Sequence, residues 1–354
     1  MKKITIILLL LLLPVTVSAK QCIDWPKTMT IFEISNMDRG KVVVIEPFED
    51  KTKWPGDEWL TFGLRDFLTD LLRTGSGVRV LSGLSAQFDK AAKTPAITIR
   101  GAFNHKEKKL EIYFNLYRGN SKKLVQQFTY EITYPEHTDF FNSMKKAAKG
   151  ILDYLTLKYN EEKLSQIAAL TDSTACYTNY AKGRNELHHY NPKNLEVAST
   201  WFKEAVNADV HSPLGYQGLT NLLTFQALYN KQAGETYSIF YQQAQAEYLL
   251  MIQRNRKKIP IENSAGVLKT MEEMGLSKLP NRFLAGNLAY MQGSIAEKKK
   301  DWKNAANGFE RATKLVPEDA LSWFHLSNML KKLKNNKGAK NALNNAKEIN
   351  PCID

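Results

Sequence analysis

The stretch D-W-K-N-A-A-N-G-F-E-R-A-T-K-L-V-P (301–317) is answered 34 residues later by N-N-K-G-A-K-N-A-L-N-N-A-K-E-I-N-P (335–351), and this echo decides the fold of the carboxyl half. Trp302, Ala305, Phe309, Ala312 and Pro317 fall in one unit, preceded by Gly293. Trp323, Leu326, Ala339, Leu343, Ala346 and Pro351 fall in the next. Gly293 with Ser327, Ala305 with Ala339, Ala312 with Ala346 and Pro317 with Pro351 all hold one register. Small residues at fixed points mark where two helices approach closely. The closing proline ends each second helix, because it disfavours helical backbone at the residue before it.

Moving towards the amino terminus, a third unit carries Tyr177, Tyr180 and Gly183 on a first helix and Ala198, Phe202, Ala205 and Asp209 on a second. The loop between them, Leu187 to Asn194, is about three residues longer than in the later units. Segments 216–229, 236–257 and 263–274 keep helical periodicity with looser wording, and Ala244, Tyr248 and Met251 match the small and large positions only in part. At least two irregular units are expected there. A 34-residue period with these small residues resembles the tetratricopeptide repeat, two antiparallel helices per unit. Such units stack into a superhelix whose concave side is left for a partner. The expected repeat region is 165–354, and the groove positions proposed on its first helices are Asn179, Arg184, Asn287, Tyr290, Asn328 and Lys331.

Upstream, the pattern changes from helical spacing to alternation. Val42 to Ile45 is a short unbroken apolar run ending at Pro47, as suits a strand covered on both faces. Asp57 is placed to cap a helix with apolar positions Leu60, Leu64, Phe67, Leu68, Leu71 and Leu72, stopped by Gly75 and Gly77. Val78 to Leu81 follows as a strand, and 82–93 as a short helix. Ile97 and Ile99, then Leu110 to Leu116, then Val125 to Ile132 mark three hairpin strands. A last helix is expected over 136–159, with Phe140, Met144, Ala147, Ile151 and Leu155 on one face. The order β-α-β-α-β-β-β-α fits one sheet with helices packed on it.

The runs V-V-V-I-E-P-F-E-D-K (42–51), F-G-L-R-D-F-L-T-D-L-L (62–72), V-R-V-L (78–81) and I-T-I-R-G-A-F (97–103) resemble the TolB amino-terminal-like domain. Glu46 stands where that family usually has Leu, and the loop 49–57 lacks its Asn-rich wording. The phrases Y-A-K-G-R-N-E-L (180–187) and A-S-T-W-F-K-E-A-V-N-A-D (198–209) resemble the tetratricopeptide arrays that follow such domains in bacterial regulators. The expected fold class is therefore α+β: a small mixed α/β sheet domain over 41–160, then an all-α superhelix over 165–354. The resemblance implies envelope or sensory domains that contact other proteins; it does not imply catalysis.

At the extreme amino terminus, Lys2-Lys3, an apolar run from Ile4 to Leu13 and the small pattern Val17-Ser18-Ala19 have the layout of a signal peptide cleaved after Ala19. Ten apolar residues fall short of the ~20 needed to cross a bilayer. Lipidation at Cys22 is disfavoured by Lys20 in the preceding A-K-Q, and 20–40 is expected as a linker. The expected location is periplasmic or exported, at or near a membrane surface, and export makes Cys22, Cys176 and Cys352 candidates for one disulfide, with the pairing left open. Cys22 and Cys352 sit near the two ends of the mature chain, and Cys176 suits a buried free thiol.

The formal charge of +13 falls to +11 once Lys2 and Lys3 are removed, which favours anionic partners. With 43% hydrophobic residues and a mean hydropathy of −0.39, the chain is neither disordered nor polytopic. Basic clusters occur at Arg254, Arg256, Lys257 and Lys258, at Lys298 to Lys300, and through 321–350. An acidic protein, lipopolysaccharide or anionic lipid would suit them. Nucleic acid is disfavoured, since no binding motif is present.

Catalytic signals are weak. His188-His189 lacks neighbours at metal-ligand spacing, and Gly75-Ser76-Gly77 follows a helix rather than opening one. Gly83 to Gln87 misses the second glycine of a nucleophile elbow. Glu46, Asp50 and Asp57 suit solvated turns. No enzyme, metal or cofactor is expected. The expectation is an exported scaffold that holds a protein or peptide; the alternative is a sensory or cell-wall-binding module whose α/β domain takes a small ligand.

Overall fold

A computed structural model describes residues 22–35, 37, 40–133, 137–255 and 282–353. The expected signal peptide, segment 263–274, and Arg256, Lys257 and Lys258 lie outside the described residues. The molecule is α+β, a mixed sheet followed by a tetratricopeptide-like helical array.

Helix α1 spans Trp25–Ser35, where a linker was expected. What makes it structural is burial: Ile23, Trp25 and Thr30 are all within the core, so the segment is fixed by packing. The sheet follows, with β1 (Lys41–Ile45), β2 (Glu49–Asp50), β3 (Val78–Ser82), β4 (Ile97–Lys106), β5 (Lys109–Arg118) and β6 (Leu124–Thr133). Its order is β3-β1-β4-β5-β6, with β2 added to the end of β4. β1 lies between β3 and β4 and is parallel to both, which explains its unbroken apolar run. β4, β5 and β6 form an antiparallel meander, and β5 alternates buried and half-buried residues as a sheet with one covered face requires.

The connecting helices are α2 (Leu60–Leu72), α3 (Gly83–Phe88) with a 3-10 turn over Lys90–Lys93, α4 (His137–Tyr154) and α5 (Glu161–Ala168). Three local expectations are corrected. Asp57 does not cap α2, because its carboxylate is taken by His105. The helix expected over 82–93 is broken at Asp89, whose side chain accepts from the Ala91 amide and starts a new turn. α4 ends at Tyr154 because Thr156 takes a left-handed backbone, φ 56°. The chain then bridges Tyr159 back to Gly75 before α5 begins.

Four helix pairs follow among the described residues: α6 (Thr174–Leu187) with α7 (Pro192–Ala208), α8 (Pro213–Gln232) with α9 (Ser238–Arg254), α10 (Arg282–Lys298) with α11 (Trp302–Leu315), and α12 (Ala320–Lys332) with α13 (Asn336–Ile349). Capping residues fix many of these starts. Ser173, Asn191, Asp301, Asp319 and Asn335 each accept a hydrogen bond from the amide three residues on. The core does not stop between sheet and helices. One hydrophobic cluster runs from Ile23 and Trp25 through Phe67, Phe114 and Ile151 to Tyr177, Phe202, Phe225, Ala289 and Val316.

Candidate partner-binding site

Close approach inside each pair sets which helical stripe is left facing outward. A Cβ on Gly183 would lie 2.5 Å from the Phe202 ring, and one on Gly293 3.0 Å from Phe309. In the last pair Ser327 stands at the same register position, and its hydroxyl donates to the Ala339 carbonyl at 2.8 Å. With Gly183, Gly293 and Ser327 aligned, other positions align too. Tyr177 corresponds to Asn287, Tyr180 to Tyr290 and Phe324, Arg184 to Asn328, and Leu187 to Lys331. These residues recur at three- and four-residue spacing along the first helices α6, α10 and α12, so each set forms one stripe.

In the first pair this stripe is occupied by the chain itself, by helix α2. The Tyr177 hydroxyl donates to the Gly63 carbonyl at 3.0 Å, and its ring packs against Phe67 at 5.0 Å and Trp59 at 6.1 Å. Burial pushes the Tyr177 phenol well above its ordinary range. Arg184 donates through Nη1 to Asp70 at 2.7 Å, and its Nε lies 3.9 Å from Asp66. Burial alone would raise the Asp66 carboxyl, yet the Arg184 and Arg65 guanidinium groups hold it below its usual value. Arg184, expected to face a partner, thus clamps the helical array to the sheet layer. Asn179, half-buried on the same helix, is off this stripe.

The second pair is also covered from within. Trp25 of α1 is 3% exposed and sits edge-on to Phe225 of α8 at 5.3 Å, with Tyr229 at 5.8 Å. Just before it, Cys22 is disulfide-bonded to Cys352, with Cα atoms 5.9 Å apart, so the two ends of the described chain meet here. Cys176 is the remaining thiol, buried and pushed up to about 11 by that burial. At the end of α8, Lys231 is buried against Asp319 at the start of α12, and Gln232 donates to the same carboxylate at 2.6 Å. Burial lowers the Lys231 ammonium from its usual range against the pull of Asp319.

The third and fourth pairs carry the equivalent stripe differently. Tyr290 is half-buried: its ring faces the Lys231 ammonium 3.3 Å from the ring centre, with Phe309 at 5.4 Å and His325 at 5.7 Å. Asn287 and Asn328 are half-exposed and Lys331 is exposed. The Asn287 amide donates weakly to Met291 Sδ at 3.8 Å, and Met291 is itself exposed. The structure brings Asn287, Tyr290, Asn328 and Lys331 onto neighbouring helices, joined through Tyr290 and His325, and separates them from Asn179 and Arg184. Beside them a shallow cleft of about 480 Å³ opens on α10 and α11, lined by Gln292, Ala296, Asn304, Gly308 and Arg311 among others.

The weaker chemical candidates are accounted for by local structure. Glu46 pairs with Arg100 at 3.1 Å, and Asp50 accepts from the amides of Thr52 and Lys53 to close its own turn. Asp57 is buried with His105, whose other ring nitrogen meets the Glu107 carbonyl at 2.9 Å and whose face lies under Trp54. Burial pushes the Asp57 carboxyl up against the opposing hydrogen bond of His105. His188 stands 6.3 Å from the Tyr190 ring, and His189 is exposed. Among the described residues, no group of three or more His, Cys, Asp or Glu is placed to hold a metal ion. Nor, among them, is any helix long and apolar enough to cross a membrane.

His105, Lys231 and the role of Tyr177 do not emerge from the sequence alone. Tyr177, Tyr180 and Arg184 do share one face by spacing, a signal that was present. Nothing local distinguishes Lys231 from a surface lysine.

No protein-family model matches the chain, and no curated protein matches it. Among solved structures, the crystal structure of the APC/C hetero-tetramer Cut9–Hcn1 is similar over 59% of this chain, at 17% identity and a TM-score of 0.31. The match spans 43% of that chain, less than half its length.

Proposed function

We propose that the protein is an exported, non-enzymatic scaffold of the cell envelope that holds a helical segment of a partner protein on the face shared by α10 and α12. The observation that carries this reading is internal. At the register positions of Tyr177 and Arg184, the repeat receives helix α2, an amphipathic helix offering Phe67, Asp66 and Asp70. Asn287, Tyr290, Phe324, Asn328 and Lys331 repeat that stripe two pairs later with polar and aromatic groups still partly exposed. A partner helix matched to them would offer apolar side chains to Phe324 and a carboxylate to Lys331. The sheet with its parallel β3-β1-β4 core and antiparallel meander supports the TolB amino-terminal-like reading of residues 41–160. The Cys22–Cys352 disulfide supports export to an oxidising compartment.

The test is crosslinking in cells from a photoreactive side chain at Asn328, followed by identification of the attached peptide. Lys331→Glu is expected to reduce adduct formation at least tenfold with the melting temperature unchanged. Adduct formation that survives both Lys331→Glu and Phe324→Ser would reject this face.

A further inference from the structure

The turns joining the two helices are closed alike in the last three described pairs, whereas the α6–α7 turn pivots on Tyr190, φ 48°, with the Tyr190 amide on the Leu187 carbonyl at 3.0 Å. Between α10 and α11 the Lys300 amide donates to the Glu297 carbonyl at 2.9 Å and the Asp301 amide to Ala296 at 3.0 Å. Between α12 and α13 the Lys334 amide donates to Lys331 at 3.0 Å and the Asn335 amide to Leu330 at 2.9 Å. Between α8 and α9, Gly234 and Glu235 make the same two bonds, at 3.1 Å and 2.9 Å. This double bond needs a left-handed pivot residue, the usual place of glycine after a helix. The pivots have φ 71° at Gly234, 59° at Lys300 and 61° at Lys334. Glycine takes that conformation freely and a side chain opposes it. Folding alone would favour glycine at both later pivots, yet both are lysine.

Other cations gather on the same edge. Lys298, Lys299, Lys303 and Lys332 are all exposed, and Lys332 Nζ lies 5.9 Å from the ring centre of Trp302, which brings the two turns side by side. The acid between 298 and 303 is Asp301, whose carboxylate is occupied by the amide and side chain of Asn304. Residues 332–340 contain no acid. Between Lys332 and Lys334 stands Leu333, an apolar side chain left 42% exposed at the tip of its turn.

We propose that this edge is a peripheral docking surface for a bilayer rich in anionic phospholipid, with the lysines at the headgroups and Leu333 entering the acyl boundary. Lysine is a compact point charge that suits a diffuse anionic surface, whereas arginine's fork suits a single phosphate. An apolar tip ringed by lysines is favoured by a surface with an apolar layer beneath its charges, and a soluble polyanion offers no such layer. The surface adjoins the proposed α10–α12 partner face at Lys331 but rests on other residues, so the two are tested by different variants.

Residues 20–354, which contain every described residue, are sedimented with vesicles of phosphatidylcholine alone and of phosphatidylcholine mixed with phosphatidylglycerol. Binding is expected on the anionic vesicles only, weakening as salt rises. Each lysine near such a surface is worth about fivefold in partitioning, so Lys300→Gly with Lys334→Gly is expected to weaken binding by about 25-fold. Because glycine suits both pivots, that double variant is expected to melt at or above the wild-type temperature and to keep its Asn328 crosslink. Leu333→Ser is expected to weaken vesicle binding several-fold while leaving binding to inorganic polyphosphate unchanged. The proposal is overturned by equal binding to neutral vesicles, by no binding to anionic ones, or by a double variant that binds as well as wild type. It is also overturned if Leu333→Ser has no effect on vesicles and polyphosphate displaces them, which would assign the edge to a soluble polyanion.

Discussion

At the residue scale, Asp66 shows how the sheet layer and the helical array are joined. It is 2% exposed, with Arg65 on one carboxylate oxygen at 2.8 Å and Arg184 approaching the other. Removing one partner from a buried ion pair leaves the other charge uncompensated, at a cost of about 3–5 kcal/mol. Arg184→Met is therefore expected to lower stability by about 3 kcal/mol in urea unfolding, at the low end because Arg65 remains. The pH dependence has a definite sign. The folded-state pKa of Asp66 lies below the ordinary 3.8, so its contribution is complete above that value and is lost as pH falls through the depressed pKa. Asp66→Asn should flatten this acid limb of the stability curve. An unchanged acid limb would show that the arginines do not hold the carboxylate in its charged form. Arg184 could be singled out in the sequence because it lies on a repeat stripe. That its ligand is the chain's own α2 could not, because spacing says which residues share a face and nothing about what covers it.

At the element scale, two aspartates at equivalent helix starts carry different loads. Asp301 accepts from the Asn304 amide and is otherwise exposed, so Asp301→Ala is expected to cost about 1 kcal/mol, the ordinary value of a lost cap. Asp319 caps α12 through the Ser322 amide and hydroxyl and also binds Lys231 and Gln232 across the array. Asp319→Ala leaves the Lys231 ammonium buried without its counter-charge and is expected to cost about 3–5 kcal/mol. Equal costs for the two would refute the bridge. The four helix pairs follow from patterns that local sequence carries: Gly183 and Gly293 against Phe202 and Phe309, and a capping residue at most starts. α1 was not legible, since W-P-K-T-M-T-I-F-E-I-S has no clean apolar stripe and is held by the tertiary burial of Trp25. Asp57 misled for a related reason. It stands where a cap belongs, but His105, 48 residues away, claims its carboxylate.

At the scale of the whole molecule, α2 packs on α6 of the first helix pair and Trp25 of α1 on α8 of the second. The Cys22–Cys352 bond closes a loop with a sequence separation of 330 and holds Trp25 against α8. Replacing both cysteines by serine is expected to lower stability by about 4 kcal/mol and to speed amide exchange in α1 first. Protection of α1 that is unchanged in the double serine variant would show that packing alone seats it. The pairing of these cysteines was one of several the sequence left open, because it depends on where the far end of the array comes to rest. Under the proposed function a partner lies on the stripe of α10 and α12, whose counterpart on α6 is covered by α2. Photo-crosslinking from Asn328, with Asn179 as the control position off the stripe on α6, decides between this face and the rest of the array. Partner adducts are expected from Asn328 and not from Asn179; adducts from Asn179 with none from Asn328 would contradict this placement.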